Sequence, residues 1–124
     1  MQSLRAFLKS FVYAAEGIAH GFRTQRNMRV ELLIALIVVA AGIFFRITPV
    51  EWAVVFVCIG LVLAAELINT VTELAVDLLT QEYHPMAKLA KDAGAGAVLV
   101  TALASVAVGV AIFGPRLWRL LFGG

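Results

Sequence analysis

The stretch Glu66–Asp77 reads ELINTVTELAVD and follows an uncharged run, residues 52–65. Apolar residues continue at helical spacing through this stretch, although it contains three carboxylates and an Asn. At about 100° per residue, its four polar positions fall within roughly 80° of one helix face. They are Glu66, Asn69, Glu73 and Asp77. Acidic side chains inside or close to the hydrocarbon core of a membrane are costly in free energy, so four polar groups on one face indicate a functional site.

The composition places the chain in the membrane class. Of its 124 residues, 62% are apolar and 15% are charged, and the mean hydropathy is +0.96. These values predict a single integral membrane domain, residues 1–124. The net charge of +2 is small and the basic residues form no stripe with aromatic residues, so we expect no nucleic-acid partner.

The apolar pattern predicts an all-α fold with one surface helix and three transmembrane helices. Residues 4–23 are predicted to form an amphipathic helix that lies in the membrane interface, or alternatively packs on the transmembrane bundle. The membrane helices are expected at 30–46, 49–79 and 85–113, the last with a polar lead-in. Gly114-Pro115 is expected to stop the third membrane segment, and its small residues at 93–97 predict close helix contact.

The second membrane helix is longer than a bilayer core. Thr48 is predicted to cap it, with Pro49 at its first position and Glu51 in its first turn. Thirty-one residues span roughly 46 Å, whereas the hydrocarbon core is about 30 Å thick. We therefore expect the acidic face to straddle one membrane interface, with Glu66 just inside the boundary.

Basic residues predict the orientation. Seven would lie on the N-terminal side and three, Arg46, Arg116 and Arg119, on the other, which favours a cytoplasmic N-terminus and a cytoplasmic acidic face. Arg116 and Arg119 are expected to meet lipid headgroups.

The polar residues favour phosphoryl transfer without a P-loop, since no GxxxxGK[ST] or GxGxxG pattern occurs. Glu73 suits Mg²⁺, Glu66 suits a general base, and Lys91 suits a phosphate. Asp92 is expected to orient Lys91 or to cap the third membrane helix. Glu31 is read either as a substrate-side polar group or as an interface anchor. A proton path, or a buried network that only locks helices together, explains the same residues.

A longer pattern then points to a family. Three motifs carry it: Glu66-x-x-Asn69-Thr70-x-x-Glu73-x-x-x-Asp77, Glu82-Tyr83-His84, and Ala90-Lys91-Asp92-x-Gly94-Ala95-Gly96-Ala97-Val98. Together they resemble the small bacterial membrane lipid kinases, the prokaryotic diacylglycerol kinase and undecaprenol kinase family. The resemblance covers about residues 13–113.

The resemblance implies a homotrimer with active sites between subunits, which transfers the γ-phosphoryl group of ATP to a lipid alcohol with Mg²⁺. It implies that Glu66 is the catalytic base, Asn69 an active-site residue and Glu73 a Mg²⁺ ligand. The implied nucleotide-site residues are Tyr13, Glu73, Asp77, Glu82, Tyr83, His84, Lys91 and Asp92.

Two positions depart from the family pattern. Gln25 stands where the family often has a second metal-binding Glu, and Ala95 stands where the diacylglycerol kinase branch tends to have Ser on the substrate side. These positions favour undecaprenol as the substrate, with diacylglycerol as the alternative. A non-enzymatic alternative is a proton- or cation-conducting membrane component, for which the acidic face should lie at the bilayer midplane.

Overall fold

The computed structural model describes residues 2–123, and these residues form four helices and no strand. The helices are α1 (Gln2–Thr24), α2 (Arg26–Phe45), α3 (Pro49–Leu79) and α4 (Pro85–Phe122). Helices α2, α3 and α4 are each long and apolar enough to cross a membrane. The expected all-helical fold with three membrane spans is therefore confirmed.

The turn between α2 and α3 is fixed by local hydrogen bonds. Arg46 ends α2 in the left-handed conformation, with φ of 52°. The Glu51 N–H donates to the Thr48 hydroxyl at 3.2 Å, and the Thr48 N–H donates to the Glu51 carboxylate at 2.9 Å. This reciprocal pair is a capping box, and Pro49 occupies the first turn. The predicted cap at Thr48 is confirmed.

Helix α4 is longer than the sequence predicts. Gly114-Pro115 does not end the helix, which continues through Pro115 to Phe122. A proline is tolerated inside a membrane helix when other groups satisfy the neighbouring backbone. Here the Arg116 side chain donates to the Ile112 carbonyl at 2.7 Å, and the Arg119 side chain donates to the Pro115 carbonyl at 3.3 Å.

Helices α3 and α4 form the most extensive helix pair. The sequence predicts that Arg116 meets lipid headgroups. In the structure, its guanidinium forms an ion pair with the Glu51 carboxylate at 2.7 Å. Close to this pair, Ile47, Val55 and Ile112 form a small buried cluster. Most other large apolar side chains are exposed, which suits a surface that meets lipid or neighbouring membrane helices.

Helix α1 contacts the bundle at its C-terminal end. Residues 2–20 are exposed, whereas Gly21 is buried against Met28 and Leu67. The Arg29 guanidinium donates to the carbonyls of Phe22 and Arg23, both at 2.9 Å. These bonds satisfy two of the carbonyls that a helix leaves free at its C-terminus. They fix the corner between α1 and α2.

Candidate active site

The polar face of α3 runs from buried to exposed. The Glu66 side chain is nearly inaccessible, with 2% of its surface exposed. Asn69 and Glu73 are half-buried, and Asp77 is exposed. The Thr70 hydroxyl donates to the backbone carbonyl of Glu66 at 3.0 Å, so it does not use its hydrogen for the carboxylate. The face thus leads from an apolar interior to a solvated end of the helix.

Asn69 sits against the glycine of the facing helix. Its Oδ1 is buried and has no hydrogen-bond partner among residues 2–123. A Cβ at Gly94 would lie 2.5 Å from this oxygen, so only a glycine leaves space for the amide. Gly94 therefore makes the close helix contact predicted for this segment, whereas no neighbouring atom lies within 4 Å of a Cβ at Gly96.

An ion pair joins the exposed ends of α3 and α4. The Lys91 ammonium lies 2.8 Å from the Asp77 carboxylate. Lys91 precedes the uncharged stretch 93–113, and its hydrogen bond to Asp77 raises the pKa of the ammonium, with a smaller contribution from the charge of Glu73. The ammonium is therefore held in its charged form and points toward the acidic face.

Asp92 has neither of the roles expected from the sequence. Its carboxylate pairs with Lys88 at 2.6 Å, one turn earlier in α4, while Lys91 is oriented by Asp77. The cap of α4 is His84, whose Nδ1 accepts from the Met86 N–H at 3.1 Å. Since Nδ1 is the acceptor, the proton of a neutral His84 ring is on Nε2.

A polar cavity of about 270 Å³ lies where α3 ends and α4 begins. Six of the residues predicted for the nucleotide site line it: Asp77, Glu82, Tyr83, His84, Lys91 and Asp92. Lys88 lines it as well, and sequence reasoning did not select this residue. Its spacing of four from Asp92 was a usable signal, because residues at that spacing meet on a helix surface. The cavity combines cationic, carboxylate and hydroxyl groups, as a nucleotide site requires.

Six of the predicted site residues do not line this cavity within one chain: Tyr13, Gln25, Glu66, Asn69, Glu73 and Ala95. Tyr13 is 63% exposed on α1, Ala95 is exposed on α4, and Gln25 lies between α1 and α2 without a side-chain capping bond. Within residues 2–123, no three His, Cys, Asp or Glu side chains are arranged to hold a metal ion. The amide oxygen of Asn69 and the carboxylate of Glu73 are nevertheless oxygen ligands of the kind that Mg²⁺ prefers.

An apolar groove of about 250 Å³ lies between α2, α3 and α4. Among its lining residues, Glu31 is the one charged side chain, and its Oε2 is buried without a hydrogen-bond partner among residues 2–123. The sequence left the role of Glu31 open, between a substrate-side polar group and an interface anchor. The structure places Glu31 among the apolar residues that line this groove.

Comparison with known proteins shows to which protein family the chain belongs. The family model for prokaryotic diacylglycerol kinase matches residues 12–113. The chain belongs to the prokaryotic diacylglycerol kinase family. It is therefore a lipid kinase, a phosphotransferase that uses ATP and an alcohol acceptor. The resemblance seen in the sequence is confirmed, and the enzymatic interpretation holds over the ion-conducting one.

The chain is similar both to proteins named undecaprenol kinase and to proteins named diacylglycerol kinase. It is 44% identical over 114 residues to the undecaprenol kinase of Bacillus subtilis (strain 168), covering 92% of this chain and 93% of that protein. It is 41% identical over 115 residues to the diacylglycerol kinase of Synechocystis, covering 92% of this chain and 66% of that protein. The Escherichia coli (strain K12) diacylglycerol kinase is 25% identical over 99 residues.

Proposed function

We propose that this lipid kinase phosphorylates undecaprenol in the bacterial inner membrane, giving undecaprenyl phosphate. The observation that carries the proposal is the burial of Glu66 on the polar face of α3, in the sequence between Leu63, which lines the apolar groove, and Val76, which lines the polar cavity. A lipid alcohol reaches such a carboxylate from the groove, and a nucleotide approaches from the polar cavity. The 44% identity to an undecaprenol kinase over nearly the whole chain supports the choice of alcohol.

The reaction joins the lipid alcohol, which enters from the groove, to the nucleotide, which enters from the polar cavity. The lipid hydroxyl oxygen attacks the γ-phosphorus of ATP, the bond to the β,γ-bridging oxygen breaks, and ADP leaves. Glu66 takes the proton of the hydroxyl as general base. Lys91, held in its charged form by Asp77, binds phosphate oxygens. Tyr83, His84 and Glu82 contact the nucleotide from the connection between α3 and α4.

The proposed metal ion is Mg²⁺, and this chain offers oxygen ligands for it. Glu73 would hold the ion, and the amide oxygens of Asn69 and Gln25 would supplement it. The unpartnered Oδ1 of Asn69 supports this assignment, because a buried oxygen without a donor is available to a cation. When bound, Mg²⁺ neutralises charge on the transferred phosphoryl group.

We propose a homotrimer whose active sites combine residues of neighbouring subunits. Tyr13, Gln25 and Ala95 stay outside the polar cavity within one chain, which a site shared between subunits explains. The many exposed apolar side chains of α2, α3 and α4 offer surfaces for such an assembly.

The two ion pairs between α3 and α4 support a membrane position for the site. Glu51 and Asp77 are 26 residues apart on α3, about 39 Å along the helix. This separation matches a bilayer with its interfacial regions, about 40–45 Å. Along α3, Glu66 is then about 16.5 Å from the level of Asp77 and about 22.5 Å from the level of Glu51, on the Asp77 side of the midpoint. The basic residues favour the cytoplasm for this side, with α1 lying in the interface.

The decisive experiment is phosphate transfer from labelled ATP in mixed micelles, with undecaprenol and diacylglycerol offered separately. Mg²⁺-dependent labelling of undecaprenol, lost on chelation, is the expected result. Preferential labelling of diacylglycerol keeps the mechanism but contradicts the proposed acceptor. Absence of labelling on either lipid, with folded and assembled protein, contradicts the proposed activity.

A further inference from the structure

Lys88 and Asp92 form an ion pair on α4, at the wall of the polar cavity. The Lys88 ammonium lies 2.6 Å from Asp92 Oδ2, and more than half of each side chain is exposed. Both residues line the cavity, together with Lys91 and Asp77, which form the second ion pair there. The other carboxylate oxygen of Asp92, Oδ1, accepts no hydrogen bond within residues 2–123. Asp92 therefore offers this oxygen as an acceptor to a molecule that enters the cavity.

The stability of α4 does not account for the pair. Lys88 is the fourth residue of α4, and a cation near the N-terminus of a helix opposes the helix dipole. The basic residue also precedes the acidic one, which is the less favourable order for residues four positions apart on a helix. Exposed ion pairs contribute little to the free energy of unfolding. Replacing Lys88 should therefore leave the fold intact, and any effect on a bound nucleotide can be measured.

The Oδ1 atom of Asp92 is suited to a hydrogen-bond donor of the nucleotide. A carboxylate accepts hydrogen bonds and repels phosphate, so Asp92 does not serve the triphosphate. The ribose hydroxyls and the amino group of the base are the donors that remain. Tyr83 is 80% exposed and lines the same cavity, so its ring is available for stacking with the base. In dinucleotide-binding folds, a carboxylate accepts the hydrogen bond of a ribose hydroxyl, and Asp92 is suited to the same contact.

We propose that Lys88 is a positioning residue, which holds Asp92 so that its carboxylate accepts a hydrogen bond from a ribose hydroxyl of ATP. The inference rests on the proposed function in one respect, namely that the nucleotide binds in the polar cavity. An aspartate side chain has two rotatable bonds, and the contact of Oδ2 with Lys88 selects one arrangement of them. Oδ1 then stays available for the hydroxyl. Lys88 acts through Asp92 and makes no contact with the nucleotide.

Equilibrium dialysis of labelled nucleotides against the full-length protein in detergent micelles tests the proposal without a lipid acceptor. The quantity to compare is the Kd of the 2′-deoxy or 3′-deoxy analogue of ATP divided by the Kd of ATP. A lost positive charge weakens the binding of all three nucleotides equally, so its effect cancels in this ratio. For one of the analogues we expect a ratio between about threefold and tenfold in the parent protein, the contribution of one hydrogen bond.

A set of variants separates positioning from direct contact. Lys88→Met should bring the ratio close to one, whereas Lys88→Arg keeps a cation beside Asp92 and should keep most of the parental ratio. Asp92→Ala should also give a ratio close to one, and adding Lys88→Met to it should change the ratio no further. Arg119→Met is the matched control. It removes an exposed cation from the other end of α4, outside the cavity, and should keep the parental ratio.

Three results would overturn the proposal. The first is a parental protein that binds both deoxy analogues as tightly as ATP. The second is a parental ratio in folded Lys88→Met, and weaker binding of every nucleotide by that variant would assign Lys88 to phosphate instead. The third is a variant Asp92→Ala that keeps the hydroxyl ratio but no longer distinguishes ATP from inosine triphosphate, which would assign Asp92 to the base. If Lys88→Met does not fold, Lys88→Ala takes its place, because alanine favours a helix.

The binding measurement also separates this inference from the proposed function. A protein that labels no undecaprenol but shows the expected ratios retains the ribose contact and contradicts only the proposed acceptor. A protein that labels undecaprenol but binds the deoxy analogues as tightly as ATP contradicts only the roles of Lys88 and Asp92. Absence of ATP binding by folded, assembled protein contradicts the nucleotide site itself, and this inference with it.

Discussion

Glu51 and Arg116, 65 residues apart in the sequence, form a two-point ion pair between the start of α3 and the end of α4. The two distances are 2.8 Å and 2.7 Å, and 22% of each side chain is exposed. Glu51 also completes the capping box with Thr48. The same carboxylate therefore fixes both the beginning of α3 and its alignment with α4.

At the opposite end of the helix pair, Asp77 and Lys91 lie 2.8 Å apart. The two pairs are separated by 26 residues on α3 and 25 residues on α4, so an antiparallel pair of helices brings both into contact at once. A slip of one residue along either helix shifts that helix by about 1.5 Å and strains both pairs.

Removing the guanidinium should loosen this alignment. In Arg116→Leu, the Glu51 carboxylate keeps its hydrogen bond from the Thr48 N–H but loses its charged partner. We expect a lower midpoint of thermal unfolding in micelles than in the parent protein. Arg119→Leu is the control, because Arg119 is exposed and forms no ion pair within residues 2–123. Equal midpoints for the two variants would show that the ion pair does not hold the helices together.

Gly94 should be required for the position of Asn69. A Cβ at residue 94 would lie 2.5 Å from Asn69 Oδ1, so Gly94→Ala must displace the amide or separate the helices. We expect kcat to fall about 100-fold. Gly96→Ala has open space around its Cβ and should keep its activity. In both variants, alanine improves helix propensity by up to about 1 kcal/mol, so a loss confined to Gly94→Ala reports on Asn69. The kcat of each variant is measured on assembled protein that has been purified by size.

Glu66→Gln should abolish most of the phosphate transfer without disturbing assembly. Glutamine has nearly the same shape but cannot accept the hydroxyl proton, so we expect kcat to fall between about 100-fold and 10,000-fold. Binding of ATP, measured by equilibrium dialysis, should be unchanged. Substantial turnover in this variant would assign the proton to another acceptor.

Lys91 and Lys88 line the same cavity but are held by different carboxylates, which allows a paired test. Lys91→Met should raise the KM for ATP about tenfold or more, since a charge-assisted bond to phosphate contributes roughly 1.5–3 kcal/mol. Lys88→Met, at a more exposed site, should raise it less. A larger effect at Lys88 would reverse the roles assigned to the two cations.

The ion pair of Lys91 also predicts a pH dependence of stability. Asp77 raises the pKa of the ammonium in the folded state. The stabilisation is therefore fully present below the ordinary pKa of a lysine and is lost as the pH rises through the raised value. The difference in unfolding midpoint between the parent protein and Lys91→Met should be present at about pH 8 and should shrink only above the ordinary pKa of a lysine, about 10.4. A difference that grows with pH would contradict the assignment.

Much of the fold was predictable from sequence because membrane helices satisfy their backbone internally and depend on local pattern. The three apolar stretches predicted α2, α3 and α4, and Thr48 with Glu51 predicted the start of α3. The helix period alone placed Glu66, Asn69, Glu73 and Asp77 on one face. The prediction at Gly114-Pro115 failed because a proline breaks only one backbone hydrogen bond, and neighbouring arginines stabilise that part of the helix.

Contacts between helices were decided only by the tertiary structure. The partner of a side chain depends on how two helices are rotated and shifted relative to each other, and spacing within one helix carries no record of this. For that reason the sequence did not pair Arg116 with Glu51, or Lys91 with Asp77 in place of Asp92. The sequence determined which residues face the bundle, and the packing of α2, α3 and α4 determined which of them meet.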